Sequence, residues 1–138
     1  MPNRQVVYSV NVRLGGGGMG DSIEEMLRGL HEARLLKQVI VSSCKTTALP
    51  TNLITSQGFW GRVQKRLGFY DRTGWVDYVS ARVFDRWAER AMQPADIFES
   101  WTFCCLASLQ TARRRGSRTF LGLGSAHPRT YLEWINAE

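Results

Sequence analysis

Two stretches of this chain hold the residue types from which a site could be built. Gly15-Gly16-Gly17-Gly18-Met19-Gly20 follows a Val- and Tyr-rich run and precedes an amphipathic one. Glycines between a strand and a helix let backbone approach a ligand closely, and the helix N-terminus favours anionic or polar groups there. Gly15, Gly17 and Gly20 fit the spacing G-x-G-x-x-G. A dinucleotide site also needs an acid at the end of the second strand to bind the ribose. That region reads Val41-Ser42-Ser43-Cys44-Lys45, without one. No Gly-Lys-Ser/Thr follows the glycines, so the loop is not a P-loop. What remains is a loop that accommodates a phosphate or a sugar, or a flexible turn. The second stretch is Gly122-Leu123-Gly124-Ser125-Ala126-His127-Pro128, a strand end opening into a helix. His127 there either hydrogen-bonds a sugar hydroxyl or a phosphate, or caps the helix.

Glu99, in Asp96-Ile97-Phe98-Glu99-Ser100-Trp101, could orient a hydroxyl or act as a base; it reads equally as a solvated loop acid. Cys104-Cys105 sits at helical spacing with no histidine nearby in sequence, which fits core packing better than nucleophilic chemistry. The two histidines, His31 and His127, and the third cysteine, Cys44, make no zinc-ligand spacing. No metal is expected.

These residues need a frame. Gln5–Leu14 alternates as a strand, and Asp21-Ser22 caps a helix carrying Ile23, Met26, Leu27, Leu30 and Ala33 on one face. Val39–Ser42 is a second strand, which completes a βαβ unit and favours a parallel sheet. Residues 46–57 read as a loop with a short strand at Leu53-Ile54. A helix over 58–69 places Phe59, Val63 and Leu67 on one side and Arg62, Lys65 and Arg66 on the other. After a turn over 70–74, the strongest helix covers 75–92, with Val76, Val79, Val83, Phe84, Trp87, Ala88 and Ala91 as a continuous stripe. A strand over 96–100 and a helix over about 103–115 follow, the helix burying Cys105, Leu106, Leu109 and Ala112. Gly116 stops it, a strand covers 118–123, and Pro128 opens a last helix carrying Tyr131, Leu132 and Ile135. The order implies one Rossmann-like domain over residues 1–138, three layers α/β/α around a mainly parallel sheet. The strand carboxyl ends of such a sheet share one rim. That rim is expected to gather the glycine loop, Glu99-Ser100-Trp101 and Ser125-His127.

A chain of 138 residues with 43% hydrophobic and 22% charged residues supports a core and matches no disordered or fibrous class. No apolar run reaches the roughly 20 residues of a membrane span. Residues 1–5 lead straight into a strand, so no signal peptide is expected, and the odd cysteine count fits a reduced, cytoplasmic chain. The net charge of +6 is spread over the sequence, with Arg113-Arg114-Arg115 its one run. Dispersed charge argues against nucleic acid and is compatible with weak attraction to anionic lipid, nucleotide or phosphosugar. Residues 58–72 set Phe59, Trp60, Phe69 and Tyr70 beside Arg62, Lys65, Arg66 and Arg72. Such a basic-aromatic helix lies on a lipid surface or packs in the ordinary way.

Phe84-Asp85-Arg86-Trp87-Ala88 on a long helix, Ala95 to Trp101, Ala112 to Thr119, and Gly124-Ser125-Ala126-His127-Pro128 resemble, in order and spacing, the N-terminal domain of family 4 glycosyltransferases. The resemblance is best over residues 76–138. It implies sugar transfer from a nucleotide-sugar to a glycan or lipid-linked acceptor, with retention at the anomeric carbon and no metal or other cofactor. It further implies a role in polysaccharide biosynthesis, often at the membrane face. The N-terminal domain of the family binds mostly acceptor. By the resemblance Gly15, Gly16, Gly17 and Gly18 line the cleft near the donor phosphates and His127 is the catalytic contact to the transferred sugar; Glu99, Ser100, Trp101 and Ser125, from their expected place on the rim, are the further candidates for substrate binding. A full N-terminal domain of the family continues past the position of Glu138, and a C-terminal domain grips the donor diphosphate. The chain is therefore expected to be an incomplete, acceptor-side domain, inactive alone, dependent on the missing domain or a partner chain, and prone to self-association. The alternative is a non-catalytic Rossmann-like module for an anionic ligand or a protein partner.

Overall fold

The structure, a computed structural model, describes residues 4–45, 47–101 and 104–122. Among them five strands, β1 (Val6–Leu14), β2 (Leu36–Cys44), β3 (Ile54–Ser56), β4 (Ile97–Trp101) and β5 (Arg118–Gly122), form one sheet in the order β3-β2-β1-β4-β5. Every pairing is parallel. Among the described residues four helices accompany them, α1 (Met19–Glu32), α2 (Phe59–Tyr70), α3 (Trp75–Ala91) and α4 (Leu106–Arg114), with a 3-10 turn over Thr51–Leu53. The fold is the expected Rossmann-like three-layer α/β/α arrangement.

The alternation of β1 sorts the core into two halves. Tyr8, Val10 and Leu14 face α1 and meet Ile23, Leu27, Val39 and Val41. Val7 faces the other way, with Ile40 and Phe98, against Phe84, Ala88 and Met92 of the α3 side and Ala112 of α4. Strands buried on both faces need apolar residues at consecutive positions, and Val39-Ile40-Val41 in β2 meets that need. Some polar groups inside the sheet are satisfied locally, whereas the Tyr8, Ser9 and Ser43 hydroxyls are buried without a partner among the described residues. Ser100 donates to Ser9 O at 2.8 Å, Ser42 donates to Val12 O at 2.8 Å, and the Gln38 amide spans Thr55 and the Ala91 carbonyl.

Asp85 links α3 to α4. It is buried, and its carboxylate accepts the Ala107 and Ser108 N–H groups at 2.7 and 2.9 Å and the Ser108 hydroxyl at 2.7 Å. Those amides belong to the first turn of α4, so a side chain from a neighbouring helix caps it. Asp71 performs the same service for α3 within the connecting turn, accepting Thr73 and Val76 N–H at 2.9 and 2.6 Å. The Thr73 hydroxyl first, and then the Val76 amide, hold the Asp71 carboxyl below its ordinary range.

Several expectations about packing are corrected. α1 starts at Met19 after a Gly18 cap, so Asp21 lies inside the first turn and is not the cap. Leu106 is 60% exposed, because α4 begins there and turns its Ala107, Ser108, Thr111 and Ala112 face inward. Val79 and Val83 of α3 are exposed, and the inward face of that helix runs through Phe84, Asp85 and Ala88. Two residues of the expected α2 stripe, Phe59 and Leu67, are exposed, and Val63 is half-buried. Gly61 packs so tightly on β2 that a Cβ there would overlap the Ser42 carbonyl oxygen, and Gly68 nestles against Asp77 of α3. Residues 61 and 68 are seven apart and share the inward face, which leaves Phe59 and Leu67 facing solvent.

Candidate functional site

The sheet order reverses between β1 and β4. A connection to either side of that point opens a crevice beyond the strand carboxyl ends. The end of β1 rises above its neighbour there. β1 pairs with β4 only from Val6↔Ile97 to Ser9↔Ser100, whereas its pairing with β2 continues to Leu14↔Cys44. The five residues beyond Ser9, Val10 to Leu14, make an overhang of about 17 Å at strand rise.

The glycine loop crowns this overhang. Gly17 and Gly18 have φ of +87° and +60°, a left-handed backbone that a side chain would strain. A Cβ at either would meet nothing within 4 Å, so the loop is open on its outer side. The third glycine has a different task. A Cβ on Gly20 would overlap the Arg13 carbonyl oxygen, so Gly20 lets the first turn of α1 sit directly on β1. The G-x-G-x-x-G spacing therefore serves an open turn and a close helix-to-strand contact.

The loop's electrostatics are mixed. Asp21 Oδ1 accepts the Gly17 N–H at 3.2 Å, so a carboxylate already occupies part of the helix N-terminus where a phosphate would bind. Two cations flank the loop. The Arg13 side chain lies against Gly16, and Lys45, whose N–H bonds Leu14 O at 3.0 Å, emerges at the end of β2. Beside Lys45 a hollow of about 510 Å³ is lined by Cys44, Thr47, Thr51 and Ile54. Burial first, and then the Glu24 carboxylate, push the Cys44 thiol up. Arg13 and Lys45 were missed in the sequence. Their signal was faint: Arg13 stands two residues before the glycines, and Lys45 occupies the region where a ribose-binding acid was sought.

The expected β4 residues lie lower. Glu99 is opposite Tyr8 and Ser100 opposite Ser9 in the β1 register, well down the strand from the glycine loop. Glu99 is half-buried on the α1 side of the sheet, and burial raises its carboxyl above the ordinary range. Beside it burial, then the Glu99 charge, raises the phenol of Tyr8. Ser100 is fully buried and its hydroxyl is committed to Ser9 O, so it fastens β4 to β1 and has no free face. Trp101 packs on the α1-side core, and its indole lies against Gly122 of β5. Beyond it the Cys104 thiol donates to Trp101 O at 3.7 Å. Burial raises the Cys104 thiol and holds Cys105 up at about 11, so both stay protonated at neutral pH and pack as small apolar groups. The fold thus brings Gly15–Gly18 together with Arg13 and Lys45. It sets Glu99 and Trp101 on a separate stretch of the α1-side face, and buries Ser100. Ser125 and His127 lie outside the described residues.

Among the described residues no group of three His, Cys, Asp or Glu side chains could hold a metal ion. No helix among them is long and apolar enough to cross a membrane. The chain is an α/β protein of Rossmann-like fold with an open glycine loop at its switch point. No protein-family model, curated protein or solved structure matches it.

Proposed function

We propose that this chain is the acceptor-side portion of a glycosyltransferase, acting with a donor-binding half on a nucleotide-sugar and a glycan or lipid-linked acceptor. One observation carries the reading: a left-handed glycine loop, open on its outer side, crowns the overhang of the central strand at the switch point. Such a loop admits a polar ligand to the backbone itself. The Asp21 carboxylate on the Gly17 amide supports an acceptor over a diphosphate, because it repels an anion and can accept from a sugar hydroxyl. Lys45 at the end of β2, where an NAD site would hold an acid, counts against a nicotinamide cofactor. In this reading His127 contacts the transferred sugar and retention follows the family resemblance. The leaving diphosphate is stabilised by the donor-binding half, so the chain alone has no transferase activity.

A second reading, a non-catalytic module for an anionic ligand, draws on Arg13 and Lys45 flanking the same loop. Calorimetric titration separates the two. The wild-type chain, Gly17→Val and His127→Ala are titrated with simple glycans, nucleotide-sugars, nucleoside diphosphates, inorganic phosphate and NAD. Weak glycan or nucleotide-sugar binding that both substitutions abolish is the expected result. Binding of phosphate and diphosphates alone, independent of His127, selects the anion module. NAD binding would overturn both.

A further inference from the structure

We propose that the α2–α3 hairpin docks on an anionic phospholipid surface. The proposal rests on the orientation of α2 and not on what the glycine loop binds. An amphipathic helix ordinarily turns its apolar stripe to the core. α2 turns most of its stripe outward, with only Val63 half-buried. Its inward face is Gly61 against Ser42 O and Gly68 against Asp77, while Trp60, Leu67 and Phe69 are 68%, 56% and 86% exposed. At the turn into α3 the aromatic series continues with Tyr70, Trp75 and Tyr78, also exposed, in two edge-to-face pairs. Single exposed apolar residues are ordinary, but an aromatic and aliphatic series along two packed helices is not.

The charge of the hairpin complements the same surface. Three of its four carboxylates are engaged internally: Asp71 on the first turn of α3, Asp85 beneath α4, and Glu89 with the Thr111 hydroxyl. Its arginines are exposed. Tyr78, Arg82, Arg86 and Arg90 form a row at four-residue spacing along α3, edging a groove of about 580 Å³ floored by Val79, Val83 and Trp87. Among the described residues Arg62, Arg66, Arg72, Arg82 and Arg90 make no ion pair. Like charges four apart on a helix repel, and a polyanionic partner relieves that repulsion. Among polyanions the aliphatic members decide. Leu67, Val79 and Val83 offer a nucleic acid neither a stacking plane nor a hydrogen bond, but they insert between headgroups, where Trp and Tyr also settle. A second copy meeting this face would present arginines to arginines.

The test is flotation of the full chain with phosphatidylcholine vesicles, with and without phosphatidylserine. Two variants at exposed positions accompany it, Arg62→Gln/Arg66→Gln and Trp60→Ser/Leu67→Ser, each checked for a native circular dichroism spectrum. The expected result is binding to the anionic vesicles only, lost at high salt and weakened roughly thirtyfold by the arginine pair, at about fivefold per arginine. The Trp60→Ser/Leu67→Ser pair should weaken it as well, and brominated lipid should quench wild-type tryptophan fluorescence more than that of this variant. Absence of binding to anionic vesicles, or equal binding to neutral ones, overturns the proposal. So does retention of a single-stranded RNA oligonucleotide, or a dimer dispersed by Trp60→Ser/Leu67→Ser, if either occurs without vesicle binding.

Discussion

Asp85 shows how one residue can hold two elements. It sits in the middle of α3, a poor place for an aspartate by propensity, yet it is buried and takes three hydrogen bonds from the start of α4. Asp85→Ala leaves two first-turn amides unpaired in the interior, while the Ser108 hydroxyl keeps Cys105 O as an acceptor at 3.1 Å. The expected loss is about 2–4 kcal/mol, read from urea unfolding, with Asp85→Asn recovering part of it. Glu99 makes the opposite case. Burial raises its carboxyl, so the folded chain holds that proton more tightly than the unfolded chain does. Stability is therefore reduced as pH rises from the ordinary glutamate range through the folded value. Glu99→Gln should raise Tm at pH 7 and give no gain at pH 4, in parallel melts at both. At the loop, Asp21→Asn removes the carboxylate from the Gly17 amide, and phosphate titration should show tighter binding than in the wild type.

At the scale of elements, glycines set how closely helices approach strands. Gly20→Ala drives a methyl group into the Arg13 carbonyl and should cost about 1–3 kcal/mol by displacing α1. Gly29→Ala, in the same helix with open space around it, should stabilise by about 0.5–1 kcal/mol. Chemical denaturation of the two variants side by side checks both signs. The elements themselves were largely legible. Alternation marked β1, helical spacing marked α1 to α4, and the βαβ order implied the parallel sheet. Their facing was less so. Periodicity tells which residues share a side of α2 but not which side turns inward; that depends on Gly61 meeting Ser42, a contact made only after β2 is placed. The same holds for the candidate site. The glycine loop was legible because local geometry demands it. Arg13 and Lys45 were not, because their neighbourhood comes from β1 outrunning β4, a fact of register. Ser100 looked available in sequence and proves to be a tie between strands.

At the scale of the whole molecule, the edge beyond β4 is the least covered part of the sheet among the described residues. Phe120 and Leu121 of β5, on opposite faces, are 53% and 49% exposed. Exposed apolar groups on an edge strand invite pairing with another chain. Sedimentation velocity should show mass rising with concentration, and Phe120→Thr/Leu121→Thr should reduce it. The strand order has another consequence, which concerns time. Central β1 pairs on one side with β2, the next strand in the chain, but on the other with β4, whose Ser100 lies 91 positions from Ser9. On a ribosome the β1-α1-β2 unit is complete while half of the central strand's bonding edge still waits for a partner. Contacts between such distant segments form late, and the waiting edge is open to wrong partners meanwhile. Pulse-labelled hydrogen exchange during refolding should find β2 protected before β4. The hazard of this topology thus falls in the interval before α3 and β4 have been made.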